Sequence, residues 1–373
     1  MKLAIVRQRY TPFGGAERFV ERALAALRDQ GTDVTIIARE WSGDVSALRC
    51  DPFYLGRTWR DAGFARCVQR IIDDGRFDLV QSHERIPGCH VFRAGDGVHA
   101  TWLELRDRAR GGLSSLVTAL SPWHRYTRAA EAALFRHPNL RAVICNSKMV
   151  KDDIARRFGV ADGKLHVIYN GVDSTHFHPA LRDEHRRRVR EELGVADDAF
   201  VIISIGSGFE RKGVPMLLRA LARMERQEAM LLVIGRDSHE DRYRALAGKL
   251  GVAERVRFLG GQTDVRPFYG AADCFALPTL YDPMPNAAIE ALACGLPVVT
   301  SSTCGAAELI EEGKNGYVCD APDAPLLAQR LDTLCAPGAA AAMGPAARRT
   351  AEGMDLAAMA ARLTALYGTL SMA

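Results

Sequence analysis

Two carboxylates at a fixed spacing give the strongest chemical signal in this sequence. In the segment YDPMPNAAIEALACGLPVVTS, which covers 281–301, Asp282 and Glu290 are separated by seven residues. Glu290 can accept hydrogen bonds from paired hydroxyl groups such as those of a ribose, and Asp282 can lie at the mouth of a cleft. Taken alone, Glu290 is as readily an exposed helix residue, and Asp282 a turn former.

The two carboxylates frame the start of a short predicted helix. Asn286 can cap this helix, Gly295 can end it, and Pro297 opens the next strand. Because the helix follows the predicted strand 274–277, the N–H groups of Asn286 and Ala287 are expected at the carboxyl edge of a sheet. Exposed N–H groups and the helix dipole favour a diphosphate at that position.

A glycine-rich turn supplies positive charge early in the second half of the chain. The motif GSGFERKG covers 206–213 and lies between a predicted strand and a predicted helix. Its glycines let the backbone approach a ligand, and its Arg-Lys pair can neutralise charge on a departing diphosphate. A surface Arg-Lys pair is usually only solvated, but the position in this turn favours binding. The predicted contacts are Gly206, Ser207, Gly208, Arg211 and Lys212.

Cations take the place of a metal ion in this interpretation. We find no DxD or HxxE-like cluster that would hold Mg²⁺ with a nucleotide. We therefore expect no metal site and no cofactor.

Two weaker signals lie in the first half of the chain. FGGAE, at 13–17, is a glycine turn between a predicted strand and helix, but it lacks the GxGxxG pattern of dinucleotide-binding turns. HVFRAGDGVH, at 90–99, puts Asp96 and His99 directly after a predicted strand. Asp96 could accept a proton from an attacking hydroxyl or orient that hydroxyl. Either residue is alternatively a turn former or a satisfied surface group.

Short apolar runs alternate with amphipathic helical stretches, which predicts an α/β protein with parallel sheets covered by helices on both faces. In the first half we expect a helix at about 16–30 and strands near 3–6, 33–37, 79–82, 91–94 and 142–145. A second series of strands is expected at 200–205, 230–234, 256–259, 274–277, 297–300 and 317–318.

The length of 373 residues exceeds what one hydrophobic core usually supports, so two domains and a cleft are expected. The polar stretch HFHPALRDEHRRRVR, at 176–190, suggests a linker near Pro179. We predict domains at 1–178 and 179–352. The alanine-rich tail from about 339 predicts two helices broken near Gly353, and the second, within 353–373, can pack back on the first domain.

Composition excludes several classes of protein. Hydrophobic residues make up 48% and charged residues 25%, as in ordinary soluble proteins. No apolar run approaches the roughly 20 residues that span a bilayer, and the apolar stretch in the initial MKLAIVRQRY is too short for a signal peptide, so we expect a cytoplasmic protein. The nine cysteines show no CxxC pair and suggest reduced, buried thiols. A formal charge of +4 and the lack of zinc spacing argue against nucleic acid as a partner.

Together these motifs resemble glycosyltransferase family 4, the retaining enzymes of GT-B fold. The donor signature of that family is Glu, seven residues, Glu, then a small-residue helix ending in Gly-x-Pro, and here it reads Asp282, Glu290, Gly295 and Pro297. CNS at 145–147 and NGVD at 170–173, the latter followed by FHP, match further family segments. The resemblance covers nearly the whole chain and implies two Rossmann-like domains that face each other across a cleft.

Within the family, RYTPFGGAERFVERAL and GSGFERKGV look most like the lipopolysaccharide core glucosyltransferases that extend inner-core heptose. That likeness implies a UDP-sugar donor held by the second domain and an acceptor held by the first. It implies Glu290 on the ribose, Asp282 near the hydroxyls of the transferred sugar, Arg211 and Lys212 on the diphosphate, Asp96 near the reaction centre, and Gly14 and Gly15 along the cleft.

The resemblance implies transfer of a hexose to a heptose or other core sugar, with retention of configuration at the anomeric carbon. The likeness to the core glucosyltransferases favours glucose as this hexose. Two residues of this sequence depart from the family pattern. Asp282 stands where the family has glutamate, which leaves open another hexosyl- or N-acetylhexosaminyltransferase of cell-surface polysaccharide synthesis. Ser207 stands where many relatives have arginine.

A basic, aromatic stretch follows Asp96. Between 100 and 145 there are seven arginines against three acidic residues, with two tryptophans interleaved. The stretch resembles the region by which such enzymes contact the anionic inner membrane, and peripheral association is expected from it. Its alternative is a solvated helix pair with core aromatics.

Other classes remain as alternatives at this point. Two Rossmann-like halves would also suit an NAD-dependent oxidoreductase, although GxGxxG is missing. An epimerase or a phosphorylase could share the fold. The non-enzymatic alternative is a sugar-nucleotide-binding or scaffolding protein.

Overall fold

The computed structural model describes residues 1–9, 32–41, 47–110, 118 and 120–372. The chain divides into two compact units, the first made of Met1–Gly171 with Leu356–Ala373 and the second of Val172–Asp355. The predicted helix at 16–30, with Gly14 and Gly15 before it, lies outside the described residues.

The described part of the first unit is built on a parallel sheet of seven strands with the order β3-β2-β1-β4-β5-β6-β7. Its strands are β1 (Lys2–Val6), β2 (Asp33–Ala38), β3 (Ala47–Arg49), β4 (Leu79–Ser82), β5 (Val91–Arg93), β6 (Ala142–Cys145) and β7 (Leu165–Val167). Its helices are α1 (Gly56–Asp73), α2 (His99–Arg110), α3 (Pro122–Arg136), α4 (Lys148–Phe158) and the C-terminal helix (Leu356–Met372), with a 3₁₀ turn at Asp162–Lys164. Strand β3 was not expected from its short sequence ALR.

Both faces of this sheet are buried, which explains why its strands are continuous apolar runs. In β1, Leu3 and Ile5 pack with residues of the C-terminal helix such as Leu363. Ala4 and Val6 point to the opposite face and pack against α1. The buried Tyr367 hydroxyl also donates a hydrogen bond to Gln81 Oε1 in β4 over 2.5 Å. The predicted packing of the C-terminal helix on the first domain is confirmed.

The second unit has a parallel sheet of six strands with the order β10-β9-β8-β11-β12-β13. Its strands are β8 (Val201–Ile205), β9 (Met230–Ile234), β10 (Val256–Phe258), β11 (Cys274–Leu277), β12 (Val298–Ser301) and β13 (Gly316–Cys319). Its helices are α5 (Leu181–Leu193), α6 (Val214–Leu221), α7 (Glu240–Lys249), α8 (Arg266–Ala271), α9 (Asn286–Ala293), α10 (Ala324–Cys335) and α11 (Ala339–Glu352), with 3₁₀ turns at Ala253–Arg255 and Gly305–Leu309. The α/β class is confirmed in both units.

The two units divide between Gly171 and Val172, somewhat before the linker suggested near Pro179. The polar stretch after Pro179 is instead an integral helix of the second unit. Arg182 and Arg186 of α5 bind the carboxylate of Asp273, and Arg190, which is 1% exposed, donates to the same carboxylate over 2.7 Å. Arginines at four-residue spacing lie on one face of a helix. This face of α5 therefore binds Asp273, directly before β11, although a charged run of this kind is typical of solvated surface.

One cysteine pair differs from the expectation of reduced thiols. Cys50 follows β3 and Cys67 lies on α1, and the two form a disulfide with their Cα atoms 5.9 Å apart. The fold brings together two positions whose separation in sequence gave no signal. Six of the remaining seven cysteines are buried free thiols, as expected.

Candidate functional site

The candidate site of the second unit lies where its strand order reverses. Strands β8 and β11 are neighbours in the sheet although they are distant in sequence. At such a switch point the loops after the two strands diverge and leave a crevice at the carboxyl edge. The loop after β8 is the predicted 206–213 motif, and the loop after β11 leads through Asp282 into α9.

Three charged groups meet between these loops. The Lys212 Nζ donates to Asp282 Oδ2 over 2.5 Å, and the Arg211 Nη1 donates to the same oxygen over 3.1 Å. Lys212 is 9% exposed and Asp282 is 6% exposed, whereas the side chain of Arg211 is 37% exposed. Two cations share one anion, so the centre carries a net positive charge that reaches solvent through Arg211.

The backbone of Asp282 is fixed as firmly as its side chain. Its N–H donates to the Thr303 carbonyl over 3.3 Å, and its carbonyl accepts from the Gly305 N–H over 2.8 Å. Asp282 thus forms a parallel bridge with Cys304 in the segment after β12. The carboxylate is therefore presented to the two cations by a rigid frame.

Glycines allow the close approach of the two loops. Gly213 has a φ of +79°, and a Cβ at this position would lie 2.0 Å from the Pro278 carbonyl oxygen. A Cβ at Gly206 would lie 2.7 Å from Cε of Lys212. The Arg211 carbonyl accepts from Thr279 Oγ1 over 2.6 Å, which ties the loop after β8 to the loop after β11. Larger residues at these glycines would displace the cation pair.

Ser207 and Gly208 bind the neighbouring loop after β9. Ser207 Oγ accepts from the Arg236 N–H over 3.1 Å, and the Gly208 N–H donates to the Arg236 carbonyl over 3.0 Å. Both residues are exposed. Ser207 therefore helps to hold two loops together. Its contact with a ligand stays a prediction.

Helix α9 begins at Asn286 itself, one residue earlier than a capping role for Asn286 requires. Pro285 occupies the N-cap position and provides no side-chain cap. The prediction that Asn286 caps the helix is therefore wrong. Because proline has no capping oxygen, no N-cap side chain covers the N–H groups of the first turn, to which Asn286 and Ala287 belong.

Glu290 has a partner that the sequence did not indicate. The hydroxyl of Tyr269 in α8 donates to Glu290 Oε2 over 3.0 Å and lies 2.9 Å from the Ala287 carbonyl oxygen. Burial, together with the Glu290 carboxylate, raises the pKa of Tyr269 well above its ordinary value, so the hydroxyl remains a donor. Tyr269 lies in the apolar run RPFYGAA, where an aromatic residue suggests only a core position.

Asp96 lies in the first unit, in the turn between β5 and α2. The turn 95–96 is exposed, and His99 begins the helix with its ring buried. Burial lowers the pKa of His99 to about 3, with Arg85 acting in the same direction, so the imidazole is neutral. The structure thus supports Asp96, and not His99, as the ionisable group that this turn presents to solvent.

The predicted residues fall into separate groups. The structure brings Gly206, Arg211, Lys212 and Asp282 together, and it places Glu290 on the following helix with Tyr269. Asp96 belongs to the other unit. Within the described residues there is no group of three His, Cys, Asp or Glu side chains arranged to hold a metal ion.

The described part of the basic, aromatic stretch lies mainly on helices α2 and α3. The Arg57 guanidinium stacks 3.9 Å above the ring of Trp123, and Arg106 lies 4.6 Å from the ring centre of Trp102. Phe135 is a core residue. The exposed arginines of the stretch are Arg108, Arg110, Arg125, Arg128, Arg136 and Arg141. No helix in the described part of the chain has the length and apolar character to cross a bilayer.

Comparison with known families decides the class of protein. The family "Glycosyl transferases group 1" matches residues 185–350, and "Glycosyltransferase Family 4" matches residues 13–176. The first of these matches lies within the second unit, and the other lies almost entirely within the first unit. Together they cover most of the chain. The chain belongs to the glycosyltransferases. Its fold is GT-B, and the oxidoreductase alternative no longer applies.

Individual relatives agree with this glycosyltransferase assignment. The lipopolysaccharide glucosyltransferase WaaG of Escherichia coli K12 is 26% identical over 330 residues, which are 86% of each chain. The crystal structure of WaaG superposes with a TM-score of 0.82 at 25% identity, covering 97% of this chain and 98% of WaaG. The lipopolysaccharide core biosynthesis glycosyltransferase LpsE of Rhizobium meliloti is 36% identical over 147 residues, 39% of this chain and 43% of LpsE.

The fold also matches a structure determined with a nucleotide sugar. Anabaena HepE in complex with UDP-glucose superposes with a TM-score of 0.75 at 20% identity, covering 99% of this chain and all of HepE. At this identity the likeness concerns the fold.

Proposed function

We propose that this glycosyltransferase transfers a hexose, glucose in the first instance, from a UDP-sugar to a heptose or other sugar of the lipopolysaccharide core. The observation that carries the proposal is the cation pair at the switch point, where Lys212 and Arg211 share Asp282. The likeness to WaaG and LpsE supports a core saccharide as acceptor. The fold shared with HepE, which binds UDP-glucose, supports the donor.

The donor is assigned to the second unit by charge. A diphosphate carries the charge that Lys212 and Arg211 complement, and the N-terminus of α9, whose N-cap Pro285 provides no side-chain cap, adds the positive end of a helix dipole. Glu290 is assigned to the ribose hydroxyls, with Tyr269 holding one of its oxygens. Asp282 is assigned to the hydroxyls of the transferred sugar while it continues to bind Lys212.

We assign to this transfer a mechanism that retains the configuration of the anomeric carbon. The acceptor oxygen forms a bond to that carbon on the face from which UDP leaves, and the bond from the carbon to the phosphate oxygen breaks. The proton of the acceptor hydroxyl passes to the departing phosphate oxygen, so no further base is needed. Asp96 orients the acceptor hydroxyl, and Lys212 and Arg211 stabilise the negative charge that grows on the diphosphate. In this mechanism they replace a metal ion.

Asp282 favours one alternative within the same class. It is one methylene shorter than the glutamate usual in the family, and both cations bind its single Oδ2 atom. A different reach at this position suits a different hexose, so transfer of another hexose or of an N-acetylhexosamine in cell-surface polysaccharide synthesis is the second candidate.

A thermal-shift panel of UDP-, GDP- and TDP-sugars tests the donor assignment. A ligand at 100 times its Kd stabilises the folded protein by about 2.7 kcal/mol, so the preferred donor should raise the unfolding midpoint most. We expect UDP-glucose to give the largest shift and to release UDP when a heptose-containing core acceptor is added. A larger shift with GDP- or TDP-sugars, or none with any donor, would contradict the proposal.

We also propose that the first unit associates with anionic membranes through the exposed arginines of α2 and α3. Each arginine near such a surface contributes about 1 kcal/mol. Arg125→Gln with Arg128→Gln should weaken co-sedimentation with anionic vesicles, whereas Arg242→Gln, at an exposed position of the second unit, should not. Equal binding to neutral and anionic vesicles, or binding to neither, would contradict this assignment.

A further inference from the structure

Three polar side chains hold the backbone on both sides of Asp96. Asn146 Nδ2 donates to the Gly95 carbonyl over 3.3 Å, on the N-terminal side. On the C-terminal side, Arg85 Nη2 donates to the Gly97 carbonyl over 3.0 Å, and the His99 N–H donates to Glu131 Oε1 over 2.9 Å. Each contact involves a backbone group within three positions of Asp96.

The three side chains come from distant parts of the first unit. Arg85 follows β4, Asn146 follows β6 and Glu131 lies within α3. The conformation of the Asp96 turn is therefore set by tertiary structure. A turn flanked by Gly95 and Gly97, the latter with a φ of +67°, has little conformational preference of its own.

Two of the three side chains are buried, and that of Arg85 is 17% exposed, although the turn they hold is exposed. Glu131 is 1% exposed and Asn146 is 2% exposed, whereas Asp96 is exposed. Glu131 Oε1 also accepts from Arg85 Nε over 2.9 Å, so one oxygen serves both the ion pair and the His99 amide. Neither Glu131 Oε2 nor Asn146 Oδ1 has a hydrogen-bond partner among the described residues.

The ion pair between Arg85 and Glu131 is not in itself evidence of a stabilising role. Replacing a buried ion pair by apolar residues of similar volume is often neutral or stabilising, so the pair is weak evidence for a stabilising role. The Arg85 guanidinium also interacts electrostatically with Asp96. The polar groups thus fix the backbone that carries one exposed carboxylate.

We infer that Arg85, Asn146 and Glu131 are positioning residues that fix the Asp96 carboxylate for the acceptor hydroxyl. This inference rests on the proposed function of Asp96. It also gives the CNS motif a physical role, because Asn146 binds the carbonyl directly before Asp96. None of the three residues needs to touch a substrate.

A double-mutant cycle distinguishes positioning from a general structural role. Asn146→Ala should lower kcat about tenfold or more, since displacing a reacting group by 1 Å can cost about 10²-fold, while UDP affinity and the KM for the donor remain at their wild-type values. In an Asp96→Asn background the same substitution should have no further effect, because the group that it positions is already lost. The exposed Asn139→Ala is the matched control in the same unit and should leave kcat unchanged.

Glu131→Gln, combined with amide hydrogen exchange, provides an independent readout. The substitution removes the charge that binds Arg85 and weakens the acceptor for the His99 N–H, so exchange at His99 should accelerate. Glu104→Gln, which breaks the exposed ion pair with Arg157, is its control and should leave His99 exchange unchanged. If Glu131→Gln does not fold, Asn146→Ala and Arg85→Lys still complete the kinetic cycle.

The possible results separate the inference from the proposed function. If Asp96→Asn keeps turnover within about threefold of wild type, the proposed role of Asp96 is wrong. If Asp96→Asn reduces turnover strongly but the effect of Asn146→Ala is fully additive to it, the proposed function stands and the positioning inference is overturned. Unchanged His99 exchange in Glu131→Gln would also overturn it.

Discussion

The two units present their candidate chemistry in different ways. In the second unit, charged side chains bind one another directly, with two cations on one carboxylate oxygen. In the first unit, the candidate carboxylate is exposed, and buried or half-buried side chains bind the backbone on either side of it. The first arrangement concentrates charge, and the second controls position.

This difference suits the two substrates that the proposal assigns. A diphosphate is a compact anion whose charge grows during transfer, so its site needs cations fixed before the reaction. An acceptor hydroxyl is neutral, so its site needs orientation more than charge. Substitutions in the second unit should therefore affect nucleotide affinity and turnover together, whereas those in the first should affect turnover alone.

The largest effect is expected for Lys212→Ala. Loss of a charge-stabilising group should reduce turnover by about 10²-fold or more and should also weaken UDP binding. Asp96→Ala should reduce turnover without changing UDP affinity. Isothermal titration with UDP and steady-state kinetics measure both quantities, and Lys249→Ala, at an exposed position of α7, is the control. Turnover within about threefold of wild type for both Lys212→Ala and Asp96→Ala would contradict the roles proposed for the two units.

A smaller effect is expected for Gly206→Ala. The new methyl group would lie 2.7 Å from Cε of Lys212, and the φ of +154° disfavours a side chain. Lys212 must move, and turnover should fall about tenfold. Gly248→Ala is the control, because its Cβ would meet nothing within 4 Å and alanine favours the helix. Equal kinetics for the two variants would show that the position of Lys212 is not critical.

The subtlest effect is expected for Asp282→Asn. The substitution frees two cations from their shared anion, so UDP should bind about three- to tenfold more tightly, since hydrogen bonds between ionised groups are the stronger ones. The affinity for UDP-glucose should not increase, because Asp282 is assigned to the hydroxyls of its glucose. The folded protein should lose stability because buried Lys212 loses its partner. Weaker UDP binding would contradict the assignment, and Asp264→Asn, which breaks an exposed pair with Arg266, is the control.

The sequence predicted those features that local patterns encode. Buried parallel strands such as β11 are apolar runs, and the spacing of Asp282 and Glu290 predicts a carboxylate pair around one helix. The position of Arg211 and Lys212 in a glycine turn between a predicted strand and a predicted helix favours a binding role for the pair. These features could be predicted because each depends on residues that are close in sequence.

Features created by tertiary contacts were not predicted. The disulfide between Cys50 and Cys67, the Tyr269 partner of Glu290 and the division at Gly171 all depend on which elements meet. Glu131 did leave a signal. It lies among the buried positions Thr127, Ala130, Leu134 and Phe135 of α3, where helical spacing gives one apolar face and a carboxylate is out of place.

In the proposed mechanism, Lys212 and Arg211 stabilise the departing diphosphate without a bound ion. The most direct test is the rate of UDP release from UDP-glucose with acceptor present, measured in excess EDTA and again after Mg²⁺ is added. We expect rates that agree within about twofold in the two conditions, and a rate about 10²-fold lower for Lys212→Ala in both. Activity that disappears with EDTA and returns with Mg²⁺ would contradict it.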